Sequence, residues 1–183
     1  MKQFNHFQYV KISILLIFFI INLSCFSLSG AKSDTLKITV TGTVKTHHPY
    51  CGGASPTPEM ERGSFSVVRN TEFHLVKKGD TSRTSILKFK TDDKGHFEFE
   101  IEAGEYSIFK YDKMLSFDDF YNAYSTPVGS FNVSVGIDCY REWYNKPDYK
   151  LNVSKDTNIE IIFYAGCFTG INPCVNYTGP CPP

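Results

Sequence analysis

The fold is decided by the stretch Thr91-Asp-Asp-Lys-Gly95-His-Phe-Glu-Phe-Glu-Ile101-Glu-Ala-Gly104-Glu-Tyr106-Ser-Ile108. Phe97, Phe99 and Ile101 alternate with glutamates, and this period of two predicts a strand with one buried and one solvated face. The Asp-Asp-Lys-Gly segment before it favours a turn, because Asp bonds to nearby backbone amides and Gly adopts positive φ without strain. The segment Ile86–Lys90 alternates in the same way, so we predict that the two strands pair as a hairpin.

Similar alternation runs along most of the chain. Further strand patterns lie at 36–44, 72–76, 106–109, 149–153 and 158–164, with turn residues between them. About seven short strands of this kind predict an all-β, Greek-key β-sandwich. Aromatic residues make up 15% of the chain, which suits a core filled by Phe and Tyr. The alternation lapses over 112–147, where 138–145 has the pattern of a helical turn, so we predict a short helical insertion there.

The N-terminus is typical of an export signal. Lys2 and Lys11 precede a short apolar run at 12–21, and no second apolar run of membrane-spanning length follows. We therefore expect 1–31 to be a signal peptide. Two processing routes stay open: the small residues at 29–31 suit an ordinary signal peptidase, whereas Leu23-Ser-Cys25 resembles the end of a bacterial lipobox, in which Cys25 would be lipidated.

Length and charge limit the remaining organisation and the partners. Removal of the signal leaves roughly 150 residues, enough for one domain. We expect a β-sandwich domain at 32–166 with its insertion at 112–147, followed by a Cys- and Pro-rich tail at 167–183. The formal net charge is zero, which argues against a nucleic-acid partner. We expect a protein or another envelope component as partner, in the periplasm, at the outer membrane or outside the cell, with membrane contact only through a lipid anchor.

Several motifs together resemble a known family. They are Val40-Thr-Gly42-Thr-Val44, Thr91-Asp92 with Gly95 and Phe97, and Gly104 followed by Tyr106 and Ile108. The pattern resembles the carboxypeptidase regulatory-like domain, a relative of transthyretin and of Cna-B repeats, and Pro49–Glu59 is similar to a segment of small exported Gram-negative proteins of unassigned activity. The resemblance implies a transthyretin-like (prealbumin-like) sandwich with a structural, adhesive or accessory role.

Enzymatic relatives of this family match the sequence poorly. Transthyretin-like hydroxyisourate hydrolases carry a C-terminal Tyr-Arg-Gly-Ser signature, whereas the corresponding segment here reads Gly179-Pro-Cys-Pro-Pro183. Gly-x-Ser-x-Gly, His-Glu-x-x-His and phosphate-binding loop motifs do not occur in the sequence. We therefore predict a non-enzymatic module that uses no cofactor.

A second hypothesis is a periplasmic metal-binding protein. His47, His48 and Cys51, with Met60 nearby, are ligand types suited to copper or zinc. Adjacent histidines on an extended chain point to opposite sides, so only one of them easily shares a site with Cys51. The alternative interpretation of this segment is a rigid loop whose cysteine forms a disulfide.

The cysteine count favours an oxidising compartment. The chain has six cysteines, so five remain besides Cys25, and an odd number allows at most two bridges within one chain. The disulfide candidates are Cys51, Cys139, Cys167 and Cys174. We predict Cys167–Cys174 as a local staple in the tail and Cys51–Cys139 as a link between the proline-rich loop and the insertion, which leaves Cys181 over.

The insertion is rich in aromatic residues that suit a binding surface. Tyr and Trp contribute much of the energy at protein interfaces. We predict that the interaction surface is formed by Tyr121, Tyr124, Tyr140, Trp143 and Tyr144, with Phe120 beside them.

Overall fold

Two four-stranded β-sheets face each other across one hydrophobic core in the computed structural model, which describes residues 36–127 and 129–180. The first sheet contains β1 (Lys37–His48), β2 (Ser64–Val67), β5 (His96–Glu102) and β9 (Thr157–Tyr164). The second contains β3 (Glu72–Lys77), β4 (Ser85–Lys90), β6 (Gly104–Lys110) and β8 (Tyr149–Val153). The all-β sandwich expected from the alternating sequence is therefore confirmed.

Strand β1 organises the first sheet. Its two halves pair antiparallel with β5 and β2 along one side, while β9 runs parallel to it along the other side. The second sheet has the order β4-β3-β6-β8 and is antiparallel throughout. Because every second residue of each strand points inward, both sheets contribute buried apolar side chains to the same core. These are Ile38, Val40, Val44, Phe97, Phe99 and Ile161 from the first sheet, and Phe73, Leu75, Phe89, Tyr106, Ile108, Leu151 and Val153 from the second.

The hairpin predicted between β4 and β5 is wrong. Strand β4 pairs with β3 and β5 pairs with β1, so the turn at 91–95 carries the chain from one sheet to the other. The reason is the core: the ring of Phe89 lies 4.7 Å from that of Phe97 and 4.8 Å from that of Phe99, between centroids. These rings pack at a tilt across the sandwich, whereas a hairpin would place them side by side in one sheet.

Helices occupy the predicted insertion. The chain forms a 3-10 helix (Tyr111–Met114), α2 (Phe117–Tyr124), the short strand β7 (Asn132–Ser134) and α3 (Ile137–Asn145). A one-turn helix α1 (Pro58–Glu61) lies earlier, in the loop after β1. In the tail, β10 (Val175–Tyr177) pairs antiparallel with β7 and so connects the tail to the insertion.

A buried ion pair attaches the insertion to the second sheet. The Lys113 ammonium donates to Asp148 Oδ1 at 2.7 Å and to the Lys146 carbonyl at 3.0 Å, and both charged side chains are at most 6% exposed. The other carboxylate oxygen of Asp148 accepts the backbone N–H of Lys110 at 2.7 Å. The 3-10 helix, the end of α3 and the edge strand β8 are thereby held together.

Arg83 makes a second attachment. Its guanidinium donates to the carbonyls of Lys113 and Tyr144, each at 2.9 Å, and lies 4.1 Å from the centroid of the Tyr144 ring. It also lies 4.9 Å from the centroid of the Phe109 ring, which belongs to β6. A planar guanidinium can donate hydrogen bonds and stack on an aromatic ring at the same time, so arginine suits this position better than lysine would.

Two groups of predictions fall on segments that the structure does not describe. The signal peptide at 1–31 with Cys25, and the leftover Cys181, lie outside the described residues and remain predictions. Among the described residues, none of the helices has the length and apolar character needed to span a bilayer.

The substitution Asp148→Asn tests the buried ion pair. Because it leaves the Lys113 ammonium buried without a counter-charge, we expect the free energy of unfolding in urea to fall by about 3–5 kcal/mol. The control is Glu105→Gln, which removes the exposed pair between Lys78 and Glu105 and should cost less than about 1 kcal/mol. Equal losses in the two variants would contradict the role assigned to Asp148.

Candidate functional site

The β7–β10 ribbon has a register that fixes the direction of each backbone group. Ser134 lies opposite Val175, and the next bond along the ribbon runs from the Val135 N–H to the Cys174 carbonyl at 2.9 Å. At the other end, the Thr178 N–H donates to the Phe131 carbonyl at 2.8 Å. In an antiparallel ladder these bonds make Ser134 and Val175 a non-hydrogen-bonded pair. The N–H and C=O of Ser134 therefore point away from β10, toward the other edge of β7.

The inner face of the ribbon is held by a buried tyrosine of α3. The Ser134 hydroxyl donates to the Tyr140 hydroxyl at 3.4 Å. The Tyr140 hydroxyl in turn lies 3.2 Å from the carbonyls of Tyr124 and Cys174, to which it donates. Val175 is on the same face and is 8% exposed. The side of β7 that faces the protein is thus the polar side.

The outer face of the same segment is apolar. Phe131, Val133, Val135 and Ile137 are 51%, 53%, 54% and 45% exposed. We call these four residues the apolar row. They alternate with Asn132, Ser134 and Gly136, so the segment reverses the usual arrangement in which apolar residues face the protein and polar residues face water. Grouped exposed apolar side chains of this kind mark interaction sites in soluble proteins.

The aromatic surface predicted on the insertion is mostly an internal core. Tyr140 and Phe120 are fully buried, so neither belongs to an exposed surface. The rest of the group is partly buried around them: Phe117, Tyr121, Tyr124, Trp143 and Tyr144. Ring contacts such as Phe120 to Trp143, at 5.0 Å between centroids, join α2 to α3. The two helices lie outside the core between the sheets, and these aromatic residues form the separate core that they need.

A charged cluster connects α2 to the second sheet. The Tyr124 hydroxyl donates a hydrogen bond to the Asp112 carboxylate. The same carboxylate accepts a hydrogen bond from the Lys110 ammonium at 2.8 Å. Burial, together with the hydrogen bond to Asp112, raises the pKa of Tyr124, so the phenol stays protonated and remains a donor. Burial alone would lower the pKa of Lys110, but the hydrogen bond and attraction to Asp112 outweigh it and the pKa is raised. Tyr124 therefore serves an internal contact.

All four predicted cysteines form disulfides, but the predicted pairing is wrong. The bridges are Cys51–Cys167 and Cys139–Cys174. The parallel pairing of β1 with β9 explains the first bridge, because it places His47 opposite Tyr164 and both strands leave the sheet at the same end. The two bridges indicate an oxidising, extracytoplasmic environment.

The predicted metal ligands do not converge. The Cys51 sulfur is bonded to Cys167 and offers no thiolate. His47 Nε2 donates to the Arg62 carbonyl at 3.0 Å, while His48 Nε2 lies 2.7 Å from the Ser66 hydroxyl. Within residues 36–127 and 129–180, no three or more His, Cys, Asp or Glu side chains are grouped so that they could hold a metal ion. Met60 is 42% exposed on α1.

Comparisons with known proteins give only structural matches of low identity and low TM-score. No family model matches this chain, and no curated protein matches it significantly. A DUF3823 family protein from Parabacteroides merdae is similar at 12% identity and a TM-score of 0.36, over 70% of this chain and 46% of that protein. A DUF3823 family protein from Bacteroides ovatus is similar at 17% identity and a TM-score of 0.34, over 69% of this chain and 44% of that protein.

A pilin gives a comparable result. The major pilin subunit of Bacillus cereus is similar at 14% identity and a TM-score of 0.34, over 70% of this chain and 28% of the pilin. This chain thus spans less than half the length of each of the three proteins. At these values the similarities carry no argument about function, and the carboxypeptidase regulatory-like assignment stays a prediction.

Peptide mapping of the exported, unreduced protein tests the disulfide pairing. After alkylation and proteolysis without reductant, we expect linked peptides that contain Cys51 with Cys167 and Cys139 with Cys174, because these pairs are adjacent in the fold. A peptide that links Cys51 to Cys139 would contradict the arrangement of the tail described above.

Proposed function

We propose that this chain is an exported, non-enzymatic β-sandwich module of the cell envelope that binds a protein partner through the apolar row. The single observation that carries the proposal is the reversed polarity of β7, where Ser134 faces the protein and Val133 and Val135 face water. The fold turns the apolar face of β7 outward although the strand also has a polar face of equal length. A partner that covers the apolar face would explain this arrangement.

Composition around the row favours a protein partner. From Gly129 to Ile137 the sequence carries no charged residue. Nucleic acid or an anionic membrane surface would require basic side chains at the contact. Depletion of charge and enrichment in aromatic residues are typical of the centre of protein–protein interfaces, and Phe131 supplies an exposed aromatic ring at one end of the row.

A polar groove illustrates why we infer a non-enzymatic role. An open groove of about 570 Å³ lies beside β1 and β5 and is lined by Thr41, Gly42, Thr43, Lys90, Asp92, His96, Phe97, Glu98 and Asn158. Its histidine, His96, is 3.9 Å from Asp92, and both side chains are about half exposed. The hydroxyl side chains of the lining are Thr41 and Thr43, and the groove is open, so it does not exclude water from a reacting group as a catalytic pocket does.

Export is supported by two independent features. The basic and apolar N-terminal pattern is that of an export signal, and the two disulfides suit an oxidising compartment.

Site-specific photo-cross-linking in the source cells tests the proposed function. A photoreactive phenylalanine analogue at Val133 should give an adduct with one protein, because Val133 lies in the middle of the row. The control position is Phe65, which is 56% exposed on β2 and should not give that adduct. A second substitution, Val135→Asp, should abolish the Val133 adduct, since it places a charge in the contact.

The results that would overturn the proposal are equally specific. Exported, folded protein that gives no adduct at Val133, or the same adducts at Val133 and Phe65, would show that the apolar row is not a binding surface.

A further inference from the structure

The geometry points to a second copy of this chain as the partner: two β7 strands pair antiparallel, edge to edge, about a twofold axis at Ser134. The inference rests on the proposed function and specifies its partner. It starts from the Ser134 N–H and C=O, which the ribbon register directs away from β10. When Ser134 of one copy lies opposite Ser134 of the other copy, these two residues exchange two backbone hydrogen bonds. The two ribbons then become one four-stranded sheet.

This register also places apolar side chains opposite each other. With Ser134 on the axis, Val133 of each copy lies opposite Val135 of the other copy. Both valines are on the outer face, and each is at least 53% exposed in the single chain. Directly opposed apolar side chains in neighbouring strands stabilise a sheet, so both valines gain a partner. The contact is self-complementary, as a twofold interface requires.

The edge of β7 is short, at three residues, but its sequence carries none of the residues that prevent strand pairing. Native proteins protect exposed edges with very short strands, with charged residues, especially Lys, or with Pro. The segment from Gly129 to Ile137 contains no charged residue and no Pro. Two copies therefore approach each other without like-charge repulsion. A charged segment would repel a second copy of itself, although it could still bind a partner of opposite charge. The proposed register makes this neutral edge complementary to itself, which is why we assign a second copy as the partner.

Charge substitutions test both the dimer and its register. The protein is purified after export and carries Cys181→Ser, so that a disulfide between copies cannot mimic association. Its oligomeric state is measured by sedimentation velocity across micromolar concentrations. We expect a dimer. Val133→Lys alone and Val135→Glu alone should each weaken the dimer at least about tenfold, because each places a charge opposite a valine.

The double variant Val133→Lys/Val135→Glu should regain the dimer in a salt-sensitive form. In the proposed register, the new lysine of each copy lies opposite the new glutamate of the other copy. The matched control is Asn176→Lys, which adds the same charge on the same face but on β10, and it should leave the dimer intact. If the double variant forms a weaker dimer than both single variants, the proposed register is wrong. That result would fit a register in which position 133 lies opposite position 133 of the other copy, because two lysines would then meet.

Failure of the dimer and failure of the proposed function give different results. A monomer at all concentrations, together with a Val133 cross-link to a different protein, would overturn self-pairing and leave the proposed function standing. A monomer without any specific Val133 adduct would overturn both. A dimer that persists in Val133→Lys and in Val135→Glu would place the contact elsewhere on the molecule and would also overturn the inference.

Discussion

The arrangement of the candidate site depends on how α3 holds the β7–β10 ribbon. The bridge from Cys139 to Cys174 attaches the start of α3 to the residue before β10, and the buried Tyr140 hydroxyl contacts the Cys174 carbonyl and the Ser134 hydroxyl. Together they place the even-numbered side of β7 against the protein. Because side chains alternate along a strand, Val133 and Val135 must then face outward, whatever their preference for burial.

The sandwich supplies the support on which this arrangement rests. The core between the sheets is complete without the insertion, so the helices pack outside it and need attachments of their own. Lys113 with Asp148, and Arg83 with Tyr144, provide them through buried charge and ring stacking. Such contacts are costly when one member is lost, which makes the position of the insertion well defined. A surface built on a well-positioned element binds with a smaller loss of conformational freedom.

The outcome of sequence-based prediction differed between local and long-range features. Alternation identified β5 and the sandwich, and the helical pattern at 138–145 identified α3, because both signals depend on neighbouring residues. Pairings across the chain were not available from such patterns. The contact of Phe89 with Phe97 spans two sheets, and the bridge of Cys51 to Cys167 follows from parallel pairing of β1 with β9, so both the hairpin and the disulfide pairing were mispredicted.

The functional surface shows the same limit. The aromatic residues around Tyr140 had the right composition for an interface, yet they form the core of the insertion. The apolar row carried a visible signal, the alternation from Phe131 to Ile137, but alternation alone predicts the apolar side to be the buried one. The contact of Ser134 with Tyr140 and the exposure of Val133 and Val135 show that the polarity is reversed.

Amide hydrogen exchange of the dilute, monomeric protein tests this reversal most directly. The ribbon register predicts slow exchange at Val133 and Val135, whose N–H groups point to β10, and fast exchange at Ser134, whose N–H group points to the open edge. The opposite pattern, with Ser134 protected and Val133 exchanging fast, would mean that the register is shifted by one residue. The apolar side chains would then face the protein, and the account of the interaction surface would be wrong.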